Sequence, residues 1–118
     1  MQTNHKERLK IEEVEIIERE IEEEVRAEVE EIFEKKKREI GVEATLKLSF
    51  LADFPIIGEY VYGEAFPPEK RVVLEIYAPY ATKRKIMKVI CEELLHIKHP
   101  EILDHGPKLQ KMMEEYAR

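Results

Sequence analysis

The sequence contains little that would suggest a secreted or membrane protein. It has one cysteine, Cys91, no tryptophan, four glycines and six prolines among 118 residues. A single cysteine excludes an intrachain disulfide and any paired-cysteine zinc or redox motif, which favours a reducing compartment. No apolar run approaches the ~20 residues of a membrane-spanning helix, and the N-terminal residues lack the apolar core of a signal peptide. We therefore expect a soluble, cytoplasmic protein with no membrane partner.

Positive net charge is also absent. Twenty Lys and Arg residues against 26 Asp and Glu residues give a formal net charge of −6. Because nucleic acids are negatively charged, we do not expect one as a partner. The sequence is 43% apolar and 39% charged, a balance typical of a folded protein with a densely charged surface. Its length predicts a single domain over residues 1–118. The abundance of Glu, Lys and Arg is also typical of thermophilic proteins.

Residues 1–40 are predicted to form one long amphipathic helix that ends at Gly41. The basic run Lys35–Arg38 before this glycine suits the negative end of a helix dipole. We expect the apolar stripe of the helix to pack along the sheet, and its length leaves pairing with a second copy of the chain as an alternative. The stripe recurs at spacings of three and four and consists of Val14, Ile17, Ile21, Val25, Val29 and Ile32.

The middle of the chain is predicted to form a small sheet over residues 42–77. Residues 42–51 alternate apolar and polar side chains, the pattern of a strand with one wet face. Residues 59–66 are rich in Tyr and Val and stop at two prolines, and residues 71–77 read RVVLEIY. We expect these three strands to form a meander.

The last third is predicted to be helical. Residues 81–98 contain no Gly or Pro and place apolar residues at helical spacing, and Pro100 ends this helix. Gly106 and Pro107 open a short final helix over residues 108–117. The predicted fold class is therefore α+β, in the order α-β-β-β-α-α.

The helix over 81–98 carries an unusual group of polar residues. At about 100° per residue, Glu93 falls in the middle of its apolar arc. Glu92 and His96 are i, i+4 neighbours that can aim at one point beside Glu93. An ionised carboxylate in an apolar stripe costs several kcal/mol without a partner, so we expect a compensating group nearby.

The segment Glu92-Glu93-Leu94-Leu95-His96 has the form E-E-x-x-H, one residue away from the H-E-x-x-H zinc-peptidase motif. Downstream, the chain continues through Pro100 to His105-Gly106-Pro107. Residues 86–109 resemble the zincin-type metallopeptidases of the minigluzincin group, and also the SprT-like and YgjP-like metallopeptidases. In those families the motif is followed, after a short loop, by a third histidine in an H-G-P or H-S-P setting. A long helix and a three-stranded sheet before the motif helix are likewise similar to the minimal zincin catalytic domain.

The resemblance implies a zinc ion held by His96 and His105, with Glu93 as general base and acid. It also implies a substrate that is an extended peptide or unfolded protein, aligned on the strand 71–77 as the edge of the sheet. Glu92 stands where the family has a ligand histidine. Glutamate is a competent zinc ligand at ~2.0–2.2 Å, so Glu92 can complete the site. An anionic ligand weakens the Lewis acidity of the metal, which predicts slower hydrolysis at neutral pH.

Alternatives to catalysis stay open at this stage. A pseudo-peptidase can keep the cleft as a peptide-binding or oligomerisation module, and the long helix alone can support a structural assembly protein. Glu92 can be a solvated residue paired with Lys88, and the histidines can line a vestigial cleft. Tyr77 and Tyr80 can stabilise an oxyanion or simply pack at the rim. We expect His99 to face solvent and Cys91 to be a buried thiol. The last helix has two possible positions. It can cap the core through Met112, Met113 and Tyr116, or it can lie across the cleft.

Overall fold

A computed structural model describes residues 3–55 and 59–117, with side chains in the first helix described from residue 19 onward. The predicted α+β class and element order are confirmed. Two short 3-10 turns, Pro67–Glu69 and Ala78–Tyr80, complete the secondary structure of the described residues. The helices and strands in chain order are α1 Thr3–Ile40, β1 Thr45–Phe50, β2 Val61–Phe66, β3 Arg71–Ile76, α2 Lys83–Lys98 and α3 Pro107–Tyr116.

The three-stranded sheet has the order β1-β3-β2, so the predicted meander is wrong. β2 and β3 are antiparallel, whereas β1 runs parallel to β3. The most apolar strand takes the central position, since Val72, Leu74 and Ile76 are completely buried. β1 carries Lys47 and other polar residues on its outer face and lies at one edge.

This order also changes which strand is free to bind a peptide. The expectation that residues 71–77 form the substrate edge is wrong because β3 has a neighbour on each side. Among the described residues, β1 and β2 each have one free edge. The free edge of β2 is the one that lies beside α2.

The helices cover one face of the sheet. The core joins β3 to α2 through residues such as Ile86, Ile90 and Leu94, which are all fully buried. α1 packs mainly on α2 and touches the sheet only weakly, at β1, rather than lying along the sheet as expected. Its stripe is buried at Val25 and Val29, while the predicted stripe residues Val14 and Ile17 lie outside the described side chains.

The helix ends follow the sequence signals. Gly41 has φ of 75°, and the N–H groups of Gly41 and Val42 both donate to the carbonyl of Lys37, which closes α1. The side-chain oxygen of Thr82 accepts a hydrogen bond from the N–H of Lys85 at 3.2 Å and caps α2. No helix in the described part of the chain is both long enough and apolar enough to cross a membrane.

Candidate metal centre

A cleft of about 550 Å³ lies between β2, α2 and the loop that precedes α3. α2 supplies Glu92, Glu93 and His96 to this cleft, and the loop supplies His105. The structure therefore brings together all four residues that the sequence singles out for metal binding and catalysis. The loop also contributes Leu103, whose side chain is 89% exposed.

Glu92, His96 and His105 converge on one point. One ligand atom from each residue can be chosen so that all lie within 4.8 Å of one another. The Glu92 carboxylate contacts Nδ1 of His105, and the two imidazole rings stand edge to face with centroids 5.2 Å apart. Glu92 therefore does not pair with Lys88; it pairs across the cleft with the loop histidine.

A hydrogen bond to the backbone fixes the orientation of His96. Its Nδ1 lies 3.0 Å from the carbonyl oxygen of Ile102. Because a carbonyl only accepts, Nδ1 must donate this hydrogen bond. In the neutral imidazole Nε2 then carries the free lone pair. A backbone carbonyl on the second ring nitrogen is the usual arrangement around a histidine that ligates a metal.

The donor set fits a zinc ion. One carboxylate and two imidazoles are zinc ligands, and bonds of ~2.0–2.2 Å in a tetrahedron separate the donor atoms by about 3.5 Å. The three residues offer donor atoms within 4.8 Å of one another, and Glu92, which is half-buried, and His105, which is exposed, have room to adjust. The carboxylate that contacts His105 is also the group that would share the metal with it.

Glu93 lies next to this group but in a different environment. It is 7% exposed, and no other described residue donates a hydrogen bond to its carboxylate. Burial is the main cause that raises the pKa of Glu93 to about 7; the negative charges of Glu92 and Glu64 act in the same direction, and His105 opposes them. A carboxyl group with a pKa near neutral can both accept and return a proton at neutral pH.

Gly63 of β2 allows the strand to approach this carboxyl group closely. A Cβ at this position would lie 2.5 Å from Cγ1 of Val89 and 3.0 Å from Cγ of Glu93. The first distance is well inside van der Waals contact, so even a methyl group must push β2 away from α2. The strand and the helix fit together here only because residue 63 has no side chain.

We expect Gly63→Ala to destabilise the fold by about 1–3 kcal/mol through overpacking. Urea denaturation of this variant and the wild type measures the difference. Ala65→Gly, on the same face two residues along the strand, removes a methyl group instead of adding one and serves as the control. Unchanged stability in Gly63→Ala would contradict this tight contact between β2 and α2.

The free edge of β2 exposes backbone groups along the cleft. The N–H of Tyr77 donates to the carbonyl of Tyr60, so these residues form a hydrogen-bonded pair at the start of the β2–β3 ladder. Because such pairs alternate in an antiparallel ladder, the N–H and C=O groups of Val61, Gly63 and Ala65 point away from β3. These three residues can pair with an added strand.

Other residues singled out in the sequence lie outside the metal group. His99 is half-buried, and its Nδ1 lies 3.4 Å from the Glu101 carboxylate. Cys91 is a buried thiol as predicted, and burial raises its pKa to about 11, so it stays protonated. Tyr77 and Tyr80 pack with Phe54 and Tyr60 in an aromatic cluster rather than lining the cleft.

The last helix packs on the core and not across the cleft. Met113 is buried, and Met112 and Tyr116 pack against the core cluster. No residue of α3 is among those that line the cleft in the described part of the chain. The cleft therefore stays accessible along the β2 edge.

Three residues that matter to the cleft were not found by sequence reasoning. Tyr62 and Glu64 flank Gly63 on β2, and all three line the cleft. The glycine inside a strand pattern was the one available signal, since an isolated strand glycine often marks close backbone approach.

Comparison of the chain with protein-family models, curated proteins and solved structures finds no match.

Proposed function

We propose that this protein is a small zinc-dependent metallopeptidase that hydrolyses extended peptides or unfolded protein segments. The observation that carries the proposal is the convergence of Glu92, His96 and His105 beside the buried carboxyl group of Glu93, in a cleft that runs along a free strand edge. Each part has a separate role in peptide hydrolysis, and the cleft contains all of them.

Glu92, His96 and His105 would hold the zinc ion. When bound, zinc supplies Lewis acidity that polarises a peptide carbonyl and makes water a better nucleophile. Glu93 accepts a proton from the attacking water molecule and donates it to the leaving amine, a role that suits a carboxyl group with a pKa near 7. The backbone edge at Gly63 holds the peptide in the extended form beside Glu93.

The contact between Glu92 and His105 favours a second candidate. A carboxylate and an imidazole that already pair with each other satisfy one another without a metal. The cleft would then act as a catalytically inactive peptide-binding or oligomerisation module. The two candidates differ in whether stoichiometric zinc binds and whether peptide bonds are cut.

The test uses His96→Ala together with His99→Ala. We expect the wild type to bind one zinc ion and to cleave a denatured protein substrate. His96→Ala should lose more than about 10–100-fold in zinc affinity, since that range is the cost of losing a partner that only supports a ligand. Elemental analysis after dialysis and a competitive chelator titration measure the binding, and gel electrophoresis of the substrate measures cleavage.

His99→Ala is the matched control because it removes an imidazole one residue past the end of the same helix, where the ring contacts Glu101 and not the metal group. It should keep both zinc and activity. A wild-type protein that binds no stoichiometric zinc, nickel or cobalt would rule out the peptidase. Zinc binding without cleavage would contradict the proposed hydrolysis but leave the metal site in place.

A further inference from the structure

Strand β2, at the edge of the cleft, carries one carboxylate that has no counterion among the described residues. Four glutamates line the cleft, and three of them are already accounted for. Glu59 pairs with Lys85 at 2.7 Å, which lowers its pKa, Glu92 contacts His105, and Glu93 is buried. Glu64 is exposed, and no described cation forms an ion pair with it.

Tyr62 lies next to this carboxylate on the same face of the strand. Residues two apart in a strand project to the same side, so the Tyr62 ring and the Glu64 carboxylate are neighbours. The Tyr62 side chain is 50% exposed, and both residues line the cleft. An aromatic face beside a carboxylate suits a long cationic side chain, which can lie over the ring and end at the charge.

The backbone geometry of β2 fixes where such a side chain would come from. An added strand pairs with Val61, Gly63 and Ala65, and its residues directly opposite β2 residues have Cβ atoms ~4.5–5.5 Å apart. The peptide residue opposite Gly63 faces α2 and Glu93, whereas the next residue faces Glu64.

We propose that Glu64 and Tyr62 form a subsite for a Lys or Arg side chain, adjacent to the peptide residue that lies over Glu93. This inference rests on the proposed peptide-binding role of the cleft. It adds which peptide sequences the cleft prefers. The protein would then select extended peptides with a basic residue at this position, and its own net charge of −6 favours such peptides. Selection at this one position would depend on Glu64 and would weaken with added salt.

The test measures peptide binding without hydrolysis. Metal-free Glu93→Gln protein is titrated into three short labelled peptides that are identical except for one central residue, which is Lys, Glu or neutral norleucine. Fluorescence anisotropy gives the dissociation constants. We expect the Lys peptide to bind about three- to tenfold more tightly than the norleucine peptide, the range for an exposed ion pair plus a cation–π contact.

Adding Glu64→Gln should remove this preference, and adding Glu64→Lys should shift it to the Glu peptide. Glu115→Gln is the control, since it changes the net charge equally but lies on α3, outside the cleft. Equal binding of the three peptides, a Lys preference that survives Glu64→Gln, or no binding at all would each overturn the subsite. Because no peptide bond is cut in this assay, loss of the preference is distinguishable from failure of the zinc and cleavage experiments.

Discussion

Glu93→Gln should abolish peptide hydrolysis while leaving zinc binding intact. The amide keeps the size of the side chain but cannot accept the proton of the attacking water, so we expect the rate to fall by about 10²–10⁴-fold. The variant should retain the zinc content of the wild type, because Glu93 is not one of the three converging ligands. Steady-state cleavage of a quenched fluorescent peptide, alongside metal analysis of the same sample, measures both effects.

The same substitution should stabilise the metal-free protein at alkaline pH. The carboxyl group has a pKa of about 7 in the folded state, against 4.5 for an exposed glutamate. Between these values the folded protein holds a proton that the unfolded chain releases, so the free energy of unfolding falls as the pH rises through this window. The loss is complete above the folded pKa and amounts to about 3 kcal/mol at most.

Urea denaturation of chelator-treated protein at pH 5 and pH 8 tests this expectation. The free energy of unfolding of the wild type should be lower at pH 8 than at pH 5. In Glu93→Gln this difference should be about 2–3 kcal/mol smaller. Gain of stability together with loss of activity is the expected signature of a residue kept for function at a cost to the fold. A variant that loses activity and is also less stable at pH 8 would instead identify Glu93 as a structural residue.

The sequence predicted the helices and strands well because their signals are local. The period of α2 placed Glu93 on the buried face, and Gly41 marked the end of α1, and both are confirmed. The i, i+4 spacing of Glu92 and His96 also needs nothing beyond helix geometry. A site built on one helix and the loop after it is therefore accessible to sequence reasoning.

The strand order was not accessible in the same way. β3 lies between β1 and β2 because its buried side chains Val72, Leu74 and Ile76 complete the core, which is a property of the packed molecule. The error carried over to function, since β3 is the central strand and has no free edge on which a peptide could align. The contact between Glu92 and His105 likewise depends on how the loop folds back over α2.

Glu92→His should convert the metal group into the two-histidine arrangement of the H-E-x-x-H motif. A neutral imidazole in place of a carboxylate leaves more positive charge on the zinc and strengthens its Lewis acidity. The change also removes the partner that His105 contacts in the metal-free state, so that histidine becomes free to ligate. We expect hydrolysis at neutral pH to rise by about tenfold or more, which corresponds to ~1.4 kcal/mol off the barrier.

Lys88→His is the control, because it places a histidine on α2 one turn earlier, outside the residues that line the cleft. It should leave the rate unchanged. A tenfold gain limited to Glu92→His would mean that Glu92 restrains a site that is otherwise intact, since Glu93, His96 and His105 are already in position. If both variants bind zinc but neither cleaves, the ligands alone do not make this cleft a peptidase, and the edge of β2 beside Gly63 would then serve to bind peptides without cutting them.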